Sequence, residues 1–222
     1  MSGFNIQLLG IKMNVNKLEN ILKLFLDKTY SQSQERNFEY LVCGSMSTYL
    51  QGCDIQPNDV DILVKDAEGV SFFAELMSEY AVQKTPSDSV DDWLSTVDKP
   101  VFTIISEDGK EQWYMARWMI DGMKFEIAHL VSEESLRRTR EKSCIWENGP
   151  DMYPHIKKID FHGYQLGVIP LEIQLSTNMF RSIEERVSEI LKILKKEGYD
   201  NELLKRALTA EQYASIIEKL EH

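Results

Sequence analysis

The sequence is poor in the residues that build disulfide frameworks, histidine metal sites and membrane spans. It contains three cysteines and four histidines in 222 residues, and Cys43, Cys53 and Cys144 are widely spaced. An odd, scattered set matches neither a disulfide framework nor a zinc spacing. No stretch approaches the roughly 18 uninterrupted apolar residues of a membrane span, and the first residues lack the basic and apolar regions of a secretory signal. We therefore expect a cytoplasmic protein without a membrane segment.

Positive charge is also in short supply. The chain has 25 lysines and arginines against 36 aspartates and glutamates, which gives a formal net charge of -11. A charge of that sign repels nucleic-acid backbones, so it argues against a dedicated DNA or RNA binder. The composition is 43% hydrophobic and 27% charged, which is typical of a globular chain with a core. The length predicts one domain or a domain with a helical appendage.

Apolar periodicity predicts a mixed α and β segment followed by helices. The predicted elements are a helix over 15–30, a strand over 38–43, a short helix over 45–51, a strand over 59–64, a helix over 70–80, a strand over 101–106, a hairpin over 112–131, a helix over 133–142 and a hairpin over 155–168. Residues 83–99 are polar and acidic and predict a loop. After Pro170 the pattern is helical to the end, and Thr209 with Gln212 predicts a capping box.

The pattern predicts an α+β fold made of a small mixed β-sheet with helices on one side and a helical C-terminal region. We divide the chain into an α+β domain over 1–168 and a helical region over 169–219. Residues 220–222 are interpreted as the remnant of a purification tag. The cleft between the two parts is the expected ligand site. No surface stripe indicates an oligomer, so the oligomeric state stays open.

One spacing in the first half of the chain points to chemistry. The strand over 38–43 runs into Gly44-Ser45, and the next strand opens with Asp59 and Asp61. Two carboxylates at i and i+2 of a strand project to the same side, where they can share divalent cations. Gly44 lets a phosphate chain approach the backbone because it has no Cβ. Ser45 adds a hydroxyl, and the helix that follows points free N–H groups at an anion.

A third carboxylate is predicted on the hairpin over 112–131. Asp121-Gly122 is a strong two-residue turn signal, and counting outward from it places Arg117 directly opposite Glu126. Paired residues share a face of the sheet, so Arg117 would bind a phosphate of the ligand or steady the acid itself. The alternative is a surface ion pair across the hairpin, worth about 0.2–1 kcal/mol. A carboxylate on an otherwise apolar strand favours the site interpretation.

Other charged residues have simpler interpretations. Asp54 and Asp66 flank the motif and are expected to be solvated. Arg181, Glu185 and Arg186 would reach a ligand from the C-terminal helices, but a charged helix face with an i,i+4 pair between Arg181 and Glu185 is the favoured interpretation.

The segment Val42-Cys43-Gly44-Ser45, followed after thirteen residues by Asp59-Val60-Asp61-Ile62, resembles the signature of the DNA-polymerase-β-like nucleotidyltransferase superfamily. The resemblance covers residues 38–130. Within the superfamily the chain is similar to small bacterial nucleotidyltransferases that modify antibiotics such as aminoglycosides and lincosamides. It implies that the domain over 1–168 has the nucleotidyltransferase fold.

The resemblance also implies roles for individual residues. Asp59 and Asp61 would bind two Mg²⁺ ions, and Gly44 and Ser45 would hold the triphosphate of ATP or another nucleoside triphosphate. Glu126 would be the third acid, which binds one metal and in some members is the general base on the acceptor hydroxyl. The family usually has aspartate at this position, so the side chain here is longer by one methylene.

The implied activity is transfer of a nucleoside monophosphate, AMP from ATP, to a hydroxyl of a small molecule, with an aminoglycoside- or lincosamide-like acceptor by analogy. Two alternatives stay open. One is a toxin-type nucleotidyltransferase that acts on a protein or a tRNA, which a basic groove beside the acids would favour. The other is an inactive member that binds a nucleotide or a partner, which Glu126 pointing away from the aspartates would favour.

Overall fold

The computed structural model describes the backbone of residues 3–141 and 143–221, and the side chains of these residues from Asn14 onward. Over these residues the chain forms eight α-helices and seven strands. The helices are α1 (Gly3–Glu35), α2 (Gly44–Leu50), α3 (Ala67–Leu76), α4 (Glu133–Glu141), α5 (Leu171–Phe180), α6 (Glu184–Glu197), α7 (Asn201–Ala207) and α8 (Ala210–Glu221). The strands are β1 (Tyr40–Cys43), β2 (Asp59–Val64), β3 (Phe102–Ile105), β4 (Gln112–Ile120), β5 (Met123–Val131), β6 (Lys157–Phe161) and β7 (Tyr164–Val168).

The strands form one mixed sheet in the order β3-β4-β5-β2-β1-β7-β6. The pairs β2–β5 and β1–β7 are parallel, and the other four pairs are antiparallel. The α+β class and the mixed sheet are therefore confirmed. Both predicted hairpins are present, and their turns fall at Asp121-Gly122 and His162-Gly163. All four turn residues have positive φ, the conformation that two-residue hairpin turns require.

Helices α1 and α3 cover one face of the sheet. The predicted apolar stripe of α1 is buried there, and the helix extends beyond the predicted bounds of 15–30 at both ends. Phe25 is fully buried, and its ring lies 5.3–5.7 Å from the rings of Tyr40, Phe73 and Phe125. Strand alternation sends Val60 into the same apolar cluster, so the neighbouring acidic residues of β2 face the other side.

Helices α1 and α3 of the domain over 1–168 lie on one side of the sheet, as expected, and the helical C-terminal region covers part of the other side. The opposite face carries Leu41 and Leu63, and apolar side chains there need cover. Ile173 of α5 and Ala207 of α7 pack on them, together with residues from the segment between α4 and β6. The helical region therefore both forms its own apolar cluster and closes part of the sheet.

The chain is mainly helical after Pro170, as the sequence predicts, and its described residues there are divided into four helices. Helix α5 starts three residues after the last strand. The predicted capping box is present at the start of α8. The main-chain N–H of Gln212 donates to Thr209 Oγ1 at 3.2 Å, and the main-chain N–H of Thr209 donates to Gln212 Oε1 at 3.0 Å. Of the predicted tag remnant, Leu220 is buried in the apolar cluster of the helical region, and His222 lies outside the described residues.

Two further expectations concern the whole chain. The three cysteines are free thiols. None of the described helices combines the length and the apolar character that crossing a bilayer requires. The predicted helix over 70–80 lies earlier in the chain than expected, since α3 spans Ala67–Leu76 and a single 3-10 turn follows at Ser78–Tyr80.

Candidate active site

Three carboxylates lie side by side on the sheet face that the C-terminal helices only partly cover. Asp59 and Asp61 occupy β2, and in the parallel pairing with β5 Asp61 lies opposite Glu126. Residues i and i+2 of a strand share a face, so all three project to the same side. Residues 60 and 125 alternate with them and are buried in the core on the other side. Side-chain exposure is 24% for Asp59 and 14% for Glu126, so the site is sheltered but open to solvent.

The positive charge near the three acids is unevenly shared between them. Lys124 lies two residues before Glu126 and opposite Asp59, and its Nζ is 2.9 Å from Asp59 Oδ2. Asp61 has no such ion pair among the described side chains. Burial raises the pKa of Asp61 to about 7, and the charges of Asp59 and Glu126 add to this shift while Lys124 and Arg117 oppose it. A cation beside Asp61 would therefore relieve a real electrostatic cost.

Gly44 brings the backbone against these acids. It begins α2 with φ +61°, and a Cβ at this position would lie 3.2 Å from Asp61 Oδ2. Its carbonyl is fixed by the helical region, because Gln174 Nε2 donates to Gly44 O at 3.0 Å. Thr48 Oγ1 lies 3.0 Å from Gln174 Oε1, which holds that amide in place. Ser45 follows directly and is 9% exposed. The predicted cradle and the aspartates are thus adjacent.

The predicted pairing of Arg117 with Glu126 is confirmed. Arg117 Nε donates to Glu126 Oε2 at 2.7 Å, and Nη2 lies 2.6 Å from the same oxygen. Nη1 donates to the main-chain carbonyls of Val90 at 2.5 Å and Asp91 at 3.1 Å. Every nitrogen of this guanidinium therefore has a protein partner, and the side chain is only 9% exposed. A contact between Arg117 and a nucleotide stays a prediction.

Two of the three carboxylates form ion pairs with cationic side chains. Among residues 14–141 and 143–221, no three histidine, cysteine, aspartate or glutamate side chains are arranged to hold a metal ion. Asp59 is turned to Lys124 and Glu126 to Arg117. The oxygen donors are nevertheless the hard ligands that Mg²⁺ prefers. Metal binding at these residues stays a prediction.

Helix α6 borders the loop that leads into β2. A Cβ at Gly52 would lie 3.7 Å from Ile193 Cδ1, and the Asp54 amide donates to Glu189 Oε2 at 3.3 Å. Residues 193, 189 and 186 share a helix face, and the loop runs antiparallel to them. The next turn of the helix therefore places Arg186 toward the beginning of β2.

Arg186 is the cation that this arrangement adds to the site. Its side chain is half-buried, and none of the described carboxylates lies within ion-pair distance of it. Burial lowers the pKa of its guanidinium, and the charges of Glu147 and Asp59 oppose that shift. The sequence contains a local signal for Lys124, which shares a strand face with Glu126, and none for Gln174. Arg186 is among the residues that the sequence offers as ligand contacts, although a charged helix face is the favoured interpretation there.

The helix-face interpretation of Arg181 and Glu185 is wrong. Helix α5 ends at Phe180, Ser182 has φ +54°, and α6 starts at Glu184, so the two residues do not lie on one helix. Arg181 Nη1 instead lies 3.5 Å from Glu147 Oε1. Burial raises the pKa of Glu147, and Arg181 and Arg186 oppose the shift. Asp54 and Asp66 are exposed, as predicted.

The chain was compared with protein families, curated proteins and solved structures. No family model matches the chain, and no curated protein matches it. The chain is similar to a crystal structure from Thermotoga maritima described as "a putative nucleotidyltransferase". The two share 21% identity with a TM-score of 0.49, over 80% of this chain and 92% of that chain.

Proposed function

We propose that the chain is a magnesium-dependent nucleotidyltransferase that moves a nucleoside monophosphate, AMP from ATP, to a hydroxyl of a small molecule. The observation that carries the proposal is the convergence of Asp59, Asp61 and Glu126 on one face, with the backbone of Gly44 against Asp61. The motif of a strand, Gly-Ser and an acid pair supports a phosphate site at the same place. The net charge of -11 favours a small acceptor over a nucleic acid.

The carboxylates of Asp59, Asp61 and Glu126 are chemically suitable ligands for magnesium. The oxygen ligands are hard, and burial together with the charges of Asp59 and Glu126 raises the pKa of Asp61, so a cation beside this carboxylate would be stabilising. Asp59 and Asp61 would hold the metal, with Glu126 as the third ligand. Bound magnesium would supply charge neutralisation for the triphosphate and activation of the attacking hydroxyl.

The residues of the chain have separate tasks in the reaction. Gly44 and Ser45 would bind the phosphates through backbone N–H groups and a hydroxyl. Glu126 Oε2 is occupied by Arg117, and Oε1 has no hydrogen-bond partner among the described residues, so Oε1 would accept the proton of the acceptor hydroxyl. The acceptor oxygen bonds to the α-phosphorus, the bond from that phosphorus to the bridging oxygen breaks, and pyrophosphate leaves. Positioning and electrostatics would supply most of the rate enhancement.

Pyrophosphate release tests the activity directly. The protein is incubated with magnesium and each of the four common nucleoside triphosphates, and acceptors are screened over aminoglycosides, lincosamides and other polyols. We expect release that requires both magnesium and an acceptor hydroxyl, with ATP preferred. Calorimetry with ATP and magnesium is run in parallel. Binding without turnover on any acceptor would contradict the transferase and support a nucleotide-binding protein, and absence of binding would contradict both.

Arg186 is expected to contact the triphosphate. It is a half-buried cation whose pKa is influenced by the charges of Glu147 and Asp59, and it has no ion pair in the described part of the chain. Hydrogen bonds to charged groups contribute about 1.5–3 kcal/mol, so Arg186→Ala is expected to weaken ATP binding by about tenfold or more in calorimetry. Lys195→Ala is the control, because Lys195 is an exposed cation nine residues on, on the opposite face of the same helix. Equal weakening in both variants would indicate a general charge effect only.

A further inference from the structure

Arg117 joins the third carboxylate to a separate segment of the chain. Two of its nitrogens bind Glu126 Oε2, and the third binds the carbonyls of Val90 and Asp91. We propose that Arg117 is a positioning residue that holds Glu126 and the segment 89–95 as one unit on the acceptor side of the site. The proposal rests on the proposed function, because the acceptor side exists only if Glu126 is the third acid.

The main chain ties the same segment to the same residue. The Arg117 amide donates to Ser95 Oγ at 3.0 Å, and the Ser95 amide donates to Arg117 O at 2.9 Å. Trp93 is fully buried, and its ring lies 5.5 Å from that of Phe102 on the edge strand. Trp93 and Ser95 therefore fix one end of the segment, while the guanidinium fixes the stretch at Val90 and Asp91. Without the side chain of Arg117, the part around Asp91 would have no described anchor to the site.

Sheet order decides which substrate this unit faces. The strands run β4-β5-β2-β1, so Glu126 on β5 lies between Arg117 on β4 and Asp61 on β2. The phosphate cradle at Gly44 follows β1, on the far side of the aspartates. The segment held by Arg117 thus borders the acids on the side away from the triphosphate. A hydroxyl that attacks the α-phosphorus in line with the leaving pyrophosphate must come from that side.

The role proposed for Arg117 differs from a role in binding phosphate. A guanidinium that binds phosphate presents a free pair of N–H groups to the ligand, whereas each nitrogen of Arg117 is already bonded within the protein. Lysine in its place would keep the charge but lose the fork that spans a carboxylate and two carbonyls. The structure therefore predicts that nucleotide affinity is insensitive to this side chain and that acceptor use is sensitive to it.

Hydrogen exchange of the segment tests the bridge without any substrate. In Arg117→Met the amides of Asp92 and Trp93, which donate to Ser89 O, are expected to exchange about tenfold faster, while those of the β4–β5 hairpin are unchanged. Arg117→Met leaves the Glu126 carboxylate without its ion-pair partner. The double variant Arg117→Met, Glu126→Gln removes that unpaired charge, and it is expected to show the same faster exchange of Asp92 and Trp93. Glu126→Gln alone keeps an acceptor for Arg117 and is the matched control. Unchanged exchange in both Met variants would overturn the proposal.

Binding and kinetics then separate the two roles. Arg117→Lys is expected to raise the acceptor KM about tenfold, with less than a threefold change in the nucleotide KM, and ATP affinity by calorimetry should follow the nucleotide KM. A tenfold loss of ATP affinity in Arg117→Lys would show that Arg117 binds the nucleotide and would overturn the proposal. Failure of the proposed function would appear instead as absence of ATP binding in the unmodified protein, with the exchange result unaffected.

Discussion

Asp61→Asn is expected to make the protein inactive and, in the absence of metal, more stable. Turnover should fall by about 10³-fold, because the change removes a charged ligand next to the phosphate cradle. Stability should rise because burial, together with the charges of Asp59 and Glu126, raises the pKa of Asp61 to about 7, so the ionised carboxylate is unfavourable in the folded protein. The neutral amide has a similar shape and removes that cost.

The pH dependence of this stabilisation has a definite sign. A carboxyl whose folded pKa lies above its unfolded value of about 3.9 stabilises the fold only while it is protonated. That contribution is complete below about pH 4 and is lost as the pH rises toward 7. The advantage of Asp61→Asn over the unmodified protein should therefore grow between pH 5 and pH 8, by roughly 2 kcal/mol or about 4–8 °C in Tm.

Thermal unfolding in EDTA at the two pH values measures the effect, and Asp54→Asn is the control because Asp54 is exposed and near in sequence. The control should change neither stability nor its pH dependence by more than about 0.5 kcal/mol. Magnesium is expected to raise the Tm of the unmodified protein and of the control, but not that of Asp61→Asn. Destabilisation by Asp61→Asn at pH 8 would contradict an energetic cost of the ionised Asp61 carboxylate in the folded protein.

The elements that follow local rules could be predicted from the sequence. Strand β2 begins and ends where alternation predicts, and the hairpin of β4 and β5 has the predicted turn and register. Both depend on neighbouring residues only, since a period of two and a two-residue turn fix which residues face each other. The position of Arg117 opposite Glu126 follows from counting outward from Gly122.

Contacts between segments far apart in the chain could not be predicted from local sequence patterns. The parallel pairing that sets Asp61 beside Glu126 joins strands about sixty residues apart, and alternation cannot choose a partner strand. The break between α5 and α6 falls at Ser182, where no glycine or asparagine marks a left-handed residue. The hydrogen bond from Arg117 to the Val90 carbonyl likewise could not be predicted, because residues 83–99 are polar and predict only a loop.

These differences share a physical cause that matters for the site. Periodicity reports which face of an element is apolar, but the partner of a polar group is decided by the folded chain. Arg117 could have bound a ligand or the protein, and the structure shows it bonded to the protein. The residues that the sequence places at the site are therefore mostly the charged ones, while those that orient them, such as Gln174, emerge only from the fold.

Gly44→Ala is expected to reduce turnover by about 100-fold while lowering stability only modestly. Gly44 has φ +61°, which costs an L-residue roughly 1–2 kcal/mol, and the new Cβ would lie 3.2 Å from Asp61 Oδ2. Because Gly44 O is also held by Gln174, the backbone has little freedom to retreat, so the carboxylate must move instead. A displacement of that order in a site that works by positioning is sufficient for a loss of this size.

Gly122→Ala separates backbone strain from the contact with Asp61. Gly122 has φ +77° in the hairpin turn, and a Cβ there would meet nothing within 4 Å. Both variants should therefore lose about 1–2 kcal/mol of unfolding free energy in denaturant titrations, but only Gly44→Ala should lose pyrophosphate release. Full activity in Gly44→Ala would show that close approach of the backbone to Asp61 is not needed, and it would remove the phosphate cradle from the mechanism. An equal loss in Gly122→Ala would assign the effect to reduced stability, because that glycine lies at the turn and contacts no residue of the site.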